Sequence, residues 1–294
     1  MKKSKRLLLI ILLVSDLSLV SFFSSAQNGI HEPISQPEWT REYKPFRIVG
    51  NLYYVGTYDL ACYLITTSNG NILINTGLAA SVPMIKSNIE ALGFNFSDIK
   101  ILLATHAHFD HVAGMAQIKK MTGAKMMINE NDAAVLADGG MSDYVFGGKE
   151  KTFEPVVANR TLHDHDTVTL GEMQIVVLNH PGHTKGANSF LFDVKDEHRS
   201  YRVLIANMPT ILSATKLSGM PTYPDVGKNY AKTFESLKKL KFDIWLSSHA
   251  SQFALHEKHK PGDPYKPEAF VDQKGYDAAI DNLQKDYEKR LNGQ

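Results

Sequence analysis

One short stretch, residues 105–111 with the sequence Thr-His-Ala-His-Phe-Asp-His, constrains the fold of this chain more than any other feature. It follows a largely apolar run at residues 99–104, typical of a buried strand, and precedes a helical pattern at residues 112–121. Side chains alternate faces along an extended segment, so His106 and His108 point the same way and can bind one ion. Asp110 and His111 lie where the chain turns toward the helix. The pattern predicts a metal-ligand loop that can begin two adjacent sites.

The competing interpretation is that these histidines are solvated loop residues. The chain has twelve histidines among 294 residues, so this spacing directly after an apolar strand pattern rarely arises by chance. His163 and His165 also have ligand-like spacing, but they lie in a charged stretch without a partner motif. We therefore interpret residues 106–111 as metal ligands and the pair at 163 and 165 as solvated turn residues.

The N-terminal segment has the three parts of a secretory signal peptide. It begins with four basic residues at positions 2–6, continues with an apolar run at 7–14 and ends with Ser-Ser-Ala at 24–26. The alternative is a membrane anchor, which is disfavoured because Asp16 interrupts the apolar stretch and the stretch falls short of about 20 residues. We predict cleavage of residues 1–26, export to the periplasm (or secretion without an outer membrane) and no stable membrane association.

Charge and cysteine content restrict the partners and the source of stability. Cleavage would remove four of 32 basic and one of 31 acidic residues, leaving 28 and 30, a net charge near −2. Such a balance argues against nucleic acid as a partner. Cys62 is the only cysteine, so no internal disulfide can form. A hydrophobic core must stabilise the fold, and about 268 residues suffice for one; we expect a monomer.

Residues 27–45 are polar and contain three prolines, which predicts an irregular N-terminal arm. Residues 46–294 show no linker and are predicted to form one domain. The predicted strands cover residues 47–56, 60–67, 71–75, 99–104, 125–128, 166–170, 173–178, 188–194, 201–206 and 242–246, with a hairpin turn at 68–71. The predicted helices cover residues 80–92, 112–121, 130–137, 228–240, 265–270 and 273–291. Between residues 141 and 155 lies a long loop of undetermined role.

Two further histidines follow predicted strand ends. After strand 173–178 comes Asn-His-Pro-Gly-His-Thr-Lys-Gly, in which a tight Pro-Gly turn fixes His183. Strand 242–246 delivers His249 in the same manner. Loops at one edge of a sheet are where sites are built. Together with residues 106–111 these histidines provide six nitrogen or oxygen ligands and no thiolate, a set that fits zinc, with iron or manganese as substitutes.

These motifs resemble the metallo-β-lactamase superfamily over nearly the whole mature chain. Residues 71–77 (Asn-Ile-Leu-Ile-Asn-Thr-Gly) and 205–209 (Ile-Ala-Asn-Met-Pro), with six non-thiolate ligands, are similar to class B β-lactamases of subclass B3, and most of all to the GOB-type branch. The resemblance implies an α/β (α+β) fold arranged as an αββα sandwich, with strands followed by helices in each half.

The resemblance also implies two zinc ions (Zn2+) per chain and a division of the ligands between them. The first ion would be held by His106, His108 and His183. The second would be held by Asp110, His111 and His249. A site of three histidines with one open position suits a zinc ion that activates water.

The sequence departs from the pattern of the family it resembles in several places. The GOB-type branch typically has Gln where this chain has His106, so the ordinary subclass pattern is restored here. Relatives similar to glyoxalase II and to lactonases carry a metal-bridging aspartate where this chain has Asn207-Met208, and Met208 also replaces a serine common in the subclass. Asn75 stands where many relatives have aspartate. Asn75, His180 and Met208 are expected to lie behind or beside the metal ligands.

By this resemblance the chain hydrolyses the β-lactam amide bond of penicillins, cephalosporins and carbapenems and so gives antibiotic resistance. Water activated by zinc would attack the carbonyl, and Asp110 would orient that water or handle its proton while also binding metal. Thr210, Ser213 and Lys216 lie in the loop expected to meet the substrate carboxylate. Two alternatives stay open: another hydrolase of this fold, acting on lactones, thioesters or phosphodiesters, and a metal-binding protein without catalysis.

Overall fold

Two β-sheets pack face to face at the centre of the fold, in a computed structural model that describes residues 29–34, 36–148 and 150–293. The predicted signal peptide, residues 1–26, lies outside the described residues. In the described part of the chain, no helix is both long enough and apolar enough to span a bilayer.

The first sheet is built from the N-terminal half of the chain. Its strands, adjacent in sequence order, are β1 (Phe46–Val49), β2 (Leu52–Tyr54), β3 (Tyr63–Thr67), β4 (Gly70–Ile74), β5 (Ile99–Leu103), β6 (Lys125–Asn129) and β7 (Arg160–Leu162). Strands β1 to β4 pair antiparallel, and β4 to β7 pair in parallel. Ser68 and Asn69 form the turn between β3 and β4, so the predicted hairpin is present.

The second sheet is built from the C-terminal half. Its strands are β8 (Thr167–Leu170), β9 (Met173–Asn179), β10 (Asn188–Lys195), β11 (Ser200–Ala206) and β12 (Ile244–Ser247), and they lie in the order β12-β11-β10-β9-β8. Strands β8 to β11 pair antiparallel, whereas β12 pairs in parallel with β11. Strands β9, β11 and β12 therefore run in the same direction.

Both faces of the first sheet are buried, because successive side chains along a strand point to opposite faces. One set belongs to the core shared with the second sheet: Tyr63, Ile65, Ile72, Ile74, Ile101 and Leu103. The intervening set belongs to a second core on the outer face: Leu64, Leu73 and Leu102. Burial on both faces explains why these strands are continuous apolar runs in the sequence.

Helices form the outer layers. They are α1 (Pro37–Thr40), α2 (Val82–Ala91), α3 (Phe109–Val112), α4 (Met115–Thr122), α5 (Glu130–Asp138), α6 (Val226–Leu237), α7 (Leu255–Lys258) and α8 (Gln273–Asn292). Short 3-10 turns occur at Ala79–Ser81, Phe96–Asp98, Ala250–Phe253 and Pro267–Phe270. Apolar residues of α2, α4 and α5 cover the outer face of the first sheet, and those of α6 and α8 join the core with the second sheet. The predicted αββα sandwich is confirmed.

Several local predictions need correction. The helix predicted at 112–121 is two helices, α3 and α4, because the chain turns at Gly114. A Cβ atom there would lie 2.9 Å from the carbonyl oxygen of Thr76 and 2.8 Å from a methyl carbon of Val82, so the close approach requires glycine. The strand predicted at 47–56 is likewise interrupted, at Gly50, whose φ is +53°.

The N-terminal arm and one strand also differ from expectation. The arm contains helix α1, and Trp39 within it is buried, so this segment is not irregular throughout. Strand β7 was not predicted, because it has three residues, of which Arg160 and Thr161 are exposed. The region predicted as a helix at 265–270 is a 3-10 turn.

The carboxyl ends of β5, β9 and β12 deliver the predicted metal ligands. In the second sheet β9 and β12 run in the same direction, so the loops that follow them leave at the same edge. The loop after β5 meets them there, since the backbone N–H of Asn188, at the start of β10, donates to the carbonyl oxygen of Thr105 at 2.7 Å. The fold thus gathers residues far apart in the sequence at one edge of the sandwich.

Candidate metal centre

The predicted ligands lie close together. The ring centroids of His106 and His183 are 4.7 Å apart, those of His108 and His183 are 4.7 Å apart, and those of His111 and His249 are 4.9 Å apart. These distances lie well within what two neighbouring metal ions can span with bonds of about 2 Å.

The first group is formed by His106, His108 and His183. One ligand atom from each of these buried rings lies within 4.8 Å of the others. Nδ1 of His108 lies 3.1 Å from Nε2 of His183. Three imidazole nitrogens in this arrangement match the donor set of a zinc site that keeps a position open.

The second group surrounds the carboxylate of Asp110. Its Oδ2 atom lies 3.2 Å from Nε2 of His111 and 3.3 Å from Nε2 of His249. One ligand atom each from His106, Asp110 and His111 also falls within 4.8 Å of the others, so the two groups adjoin at His106.

A hydrogen bond at one ring nitrogen leaves the other nitrogen to bind metal, so the hydrogen bonds of the histidines indicate which atoms could be ligands. Nδ1 of His183 donates to the carbonyl oxygen of Thr210 at 2.8 Å, and Nδ1 of His249 donates to Oδ2 of Asp59 at 3.0 Å. Nε2 of His106 is buried and has no hydrogen-bond partner. A buried nitrogen without a partner is costly in a fold without a ligand. The residues present therefore fit a metal pair.

The electrostatics of His183 and Asp110 suit metal binding. Burial lowers the pKa of His183 to about 3, which keeps the ring in the neutral form that binds metal. Burial by itself raises the pKa of Asp110, but His111 and His249 hold it well below its usual range. Burial alone would lower the pKa of His249, but hydrogen bonds with Asp110 and Asp59 raise it to about 9. A metal ion at Nε2 of this ring would therefore displace a proton.

Thr105, which precedes the first ligand, connects several supporting groups. Oδ1 of Asn75 accepts hydrogen bonds from the backbone N–H of Thr105 at 3.0 Å and from its hydroxyl at 3.2 Å. The Thr105 hydroxyl lies 3.2 Å from Nδ1 of His106 and accepts from Ser248 at 3.0 Å. Asn75 has φ of +61°, a conformation that asparagine tolerates better than most residues. Asn75 thus reaches the ligand loop through Thr105.

The carboxylate of Asp132 connects the loop of His106 and His108 with the loop of His183, a role that the sequence analysis did not predict. It accepts from the backbone N–H of Ala107 at 2.9 Å, the hydroxyl of Thr184 at 2.7 Å and the backbone N–H of Gly186 at 2.8 Å. Burial raises its pKa despite these bonds. Two more carboxylates near the ligands were also not predicted. They are Asp59 and Asp143, and Asp143 lies 3.3 Å from Nε2 of His108. Each meets its partner only through the fold, and no local sequence pattern marks it.

His180 lies close behind the ligands without touching them through its ring nitrogens. Nδ1 is 2.6 Å from the hydroxyl of Ser189 and Nε2 is 3.1 Å from that of Ser236. The Ser189 hydroxyl also accepts from the backbone N–H of Asn207 at 2.9 Å. His180 is therefore linked to the strand-end loop that holds Asn207.

All of the predicted ligands except His111 line a cavity of about 190 Å³. Apart from the ligands, its walls combine polar residues (Gln36, Asn207, Ser248 and Gln252) with apolar or aromatic ones (Ile34, Trp39, Phe109, Phe146, Met208 and Leu212). Thr210 also lines it, whereas Ser213 and Lys216 do not. A larger groove of about 700 Å³ lies elsewhere, between Asn51 and Glu172, and no histidine lines it.

Comparison with known proteins relates this arrangement to a family. The sequence profile of the metallo-β-lactamase superfamily matches residues 57–196. Curated relatives include a hydroxyacylglutathione hydrolase from Bradyrhizobium sp. (strain ORS 278), 31% identical over 144 residues, which are 46% of this chain and 48% of that protein. The matched region thus spans about half the length of the curated relatives.

Solved structures match over much more of the chain. A β-lactamase from Chitinophaga pinensis is 60% identical with a TM-score of 0.88, covering 90% of this chain and 99% of that one. The class B3 di-zinc metallo-β-lactamase LRA-12 from an Alaskan soil metagenome is 62% identical with a TM-score of 0.87, covering 89% and 100%. The metallo-β-lactamase GOB-18 from Elizabethkingia meningoseptica is 53% identical with a TM-score of 0.88, covering 90% and 98%.

These similarities agree with the resemblance to the GOB-type branch that the motifs indicated. Identities of 53% to 62% extend over nearly the full length of the matched structures. The chain therefore belongs to the metallo-β-lactamase superfamily and, within it, to the group of subclass B3 enzymes.

Proposed function

We propose that this chain is a zinc-dependent hydrolase that opens the amide bond of β-lactam antibiotics and so confers resistance to them. The observation that carries the proposal is the full-length similarity to β-lactamases, which covers 98% to 100% of the three solved structures. The similarity to hydroxyacylglutathione hydrolases is weaker and covers only about half of those proteins.

We assign two zinc ions to the centre. His106, His108 and His183 would hold the first, and Asp110, His111 and His249 would hold the second. The close approach of the two groups in the fold supports this assignment. Zinc bound there would supply a Lewis acid for the carbonyl oxygen and would lower the pKa of a bound water to about 7.

Asp110 is the residue we assign to proton handling. Its carboxylate reaches the cavity and is held between two rings, with a pKa well below its usual range. It would therefore be ionised at neutral pH, in the form that can orient the attacking water and accept its proton.

The cavity walls would bind and orient the substrate. Trp39, Phe146 and Met208 provide apolar surface that would pack against the fused rings of a β-lactam and exclude bulk water. Of the three residues predicted to meet the substrate carboxylate, Thr210 lines the cavity, and we propose it for this contact.

A second candidate function is hydrolysis of thioesters or lactones, which the similarity to hydroxyacylglutathione hydrolases favours. By resemblance, such enzymes place a bridging aspartate where this chain has Asn207 and Met208. Here the side-chain amide of Asn207 donates to the carbonyl oxygen of Thr105 at 3.1 Å, and Met208 is a buried wall of the cavity. Neither side chain can act as a bridging carboxylate, which favours the β-lactamase.

An assay panel distinguishes these candidates. One zinc-loaded preparation is offered a penicillin, a cephalosporin, a carbapenem, a lactone and a glutathione thioester, before and after treatment with a chelator. We expect turnover of β-lactams, its loss with the chelator and its return with zinc. Turnover of the thioester or lactone alone would support the second candidate, and zinc binding without any turnover would support a non-catalytic protein.

We further propose that the enzyme is exported to the periplasm and acts as a monomer without stable membrane association. The basic, apolar and small-residue pattern of residues 1–26 supports export. N-terminal sequencing of protein from a periplasmic extract should begin at Gln27. Recovery of the intact N-terminus in the membrane fraction would contradict export and cleavage.

A further inference from the structure

His108 and His183 present different nitrogens to each other. Nδ1 of His108 faces Nε2 of His183 at 3.1 Å. Nε2 of His108 points the other way and lies 3.3 Å from Oδ2 of Asp143, and both of those side chains are buried. A neutral imidazole carries one proton, on one nitrogen, and a metal needs the other. His108 can therefore bind metal through Nδ1 only if its proton is on Nε2.

Asp143 is itself held rigidly. Its other oxygen, Oδ1, accepts the backbone N–H groups of Val145 at 2.8 Å and Phe146 at 2.7 Å. This capping fixes the start of the loop at 141–155, and it leaves Oδ2 directed at His108. The Phe146 ring packs edge-on against His108 with centroids 5.1 Å apart, which restricts the ring further.

The same loop is tied to the partner ring. The hydroxyl of Tyr144 lies 3.1 Å from the carbonyl oxygens of both Gly182 and His183. One short segment thus contacts His108 by a carboxylate and the backbone of His183 by a phenol. Its position is coupled to the geometry of both ligands.

We propose that Asp143 is a positioning residue for the first metal site: its carboxylate, 3.3 Å from Nε2 of His108, attracts the ring proton to that nitrogen and so reserves Nδ1 of the ring for the metal. Carboxylates behind metal-binding histidines act in this manner in many metalloproteins, by fixing the tautomer and the ring orientation. The inference rests on the proposed function only in assuming a metal between His108 and His183.

The substitution Asp143→Asn tests the tautomer specifically. The amide oxygen of Asn can still accept from Val145 and Phe146, so the loop keeps its capping hydrogen bonds. The amide nitrogen then replaces Oδ2 and donates, so Nε2 of His108 must accept and the ring proton moves to Nδ1. We expect the affinity of the first site for zinc to fall by about 10- to 100-fold.

The matched control is Asp138→Asn. Asp138 also caps this loop, since its Oδ2 accepts the backbone N–H of Ser142 at 3.1 Å, and it contacts none of the predicted ligands by a hydrogen bond in the described residues. Zinc affinity is measured by competition with a chromophoric chelator, and the melting temperature of the zinc-free protein reports on the fold. Cobalt substitution gives a spectrum that reports on the coordination of the bound ions.

The expected result is weaker binding and an altered cobalt spectrum for Asp143→Asn, with zinc-free melting temperatures unchanged in both variants. Zinc binding and cobalt spectra identical to the wild type in Asp143→Asn would overturn the inference and leave the β-lactamase proposal intact. Conversely, a wild-type chain that binds zinc but hydrolyses no β-lactam would overturn the proposed function, while the comparison of the variants would still decide the role of Asp143.

Discussion

The Oδ2 atom of Asp59 lies 3.0 Å from Nδ1 of His249, on the side of the ring opposite to Asp110. The same oxygen accepts from the indole N–H of Trp39 at 3.3 Å, and Oδ1 accepts the backbone N–H of Ser251 at 2.9 Å. Asp59 therefore connects the N-terminal arm, the loop before β3 and the loop after β12. It holds His249 with Nε2 directed at the second group of ligands.

We expect Asp59→Asn to weaken zinc binding at the second site by about 10- to 100-fold. An amide can satisfy the Ser251 N–H through its oxygen, but its nitrogen would then meet two other donors, on Trp39 and His249. A competition titration measures the affinity. Asp225→Asn, which alters only an exposed pair with Lys228, serves as the control and should bind as the wild type does. Equal affinities in all three proteins would refute this role of Asp59.

Asp132→Ala should destabilise the fold as well as the site. It would leave the buried N–H groups of Ala107 and Gly186 without their acceptor, at a cost of about 1–3 kcal/mol each. We expect the free energy of unfolding to fall by about 2–6 kcal/mol, which denaturant titration measures. The neighbouring substitution Asn131→Ala changes an exposed side chain on the same helix. It should shift the free energy of unfolding by less than about 0.5 kcal/mol. Equal shifts in the two variants would argue against this role of Asp132.

His106→Gln tests the division of the ligands. His106 borders both groups, and its Nε2 atom is buried without a hydrogen-bond partner. We expect weaker zinc binding at the first site and slower β-lactam hydrolysis, because the side-chain amide of glutamine is a weaker zinc ligand than an imidazole nitrogen. Metal analysis after dialysis and steady-state rates provide the measurements. Unchanged zinc content together with an unchanged rate would show that His106 is not a ligand.

Metal removal should lower the melting temperature. Zinc at about 100 times its dissociation constant stabilises a folded protein by about 2.7 kcal/mol per site. For a domain of this size such a gain corresponds to about 5–10 °C. Calorimetry with and without a chelator measures the difference. Magnesium should not restore it, because the ring nitrogens of the centre are poor ligands for that ion. Equal melting temperatures in chelator and in zinc would contradict the proposed metal pair.

The sequence predicted the parts of the fold that follow from local patterns. Continuous apolar runs gave most strands, and the strand ends located His183 and His249 because a ligand after a strand lies at the edge of a sheet. The division of the six ligands between two ions came only from the resemblance. Their closeness depends on two sheets packing together, which no local pattern encodes.

The supporting carboxylates could not be predicted in the same way. Asp59 and His249 are 190 positions apart, and Asp143 lies in a loop without clear periodicity. Asp132 sits on the first turn of α5, where an acidic residue is expected for helix stability alone. The arm was expected to lie outside the domain, yet Trp39 is buried beside His249, with ring centroids 5.8 Å apart. Each of these contacts requires the tertiary structure.

The central claim is that six side chains from three loops hold a pair of zinc ions. Anomalous diffraction from a zinc-loaded crystal, recorded above and below the zinc absorption edge, tests it most directly. We predict two peaks, one within about 2.3 Å of His106, His108 and His183 and the other at that distance from Asp110, His111 and His249. A single peak, or peaks away from these side chains, would contradict the account.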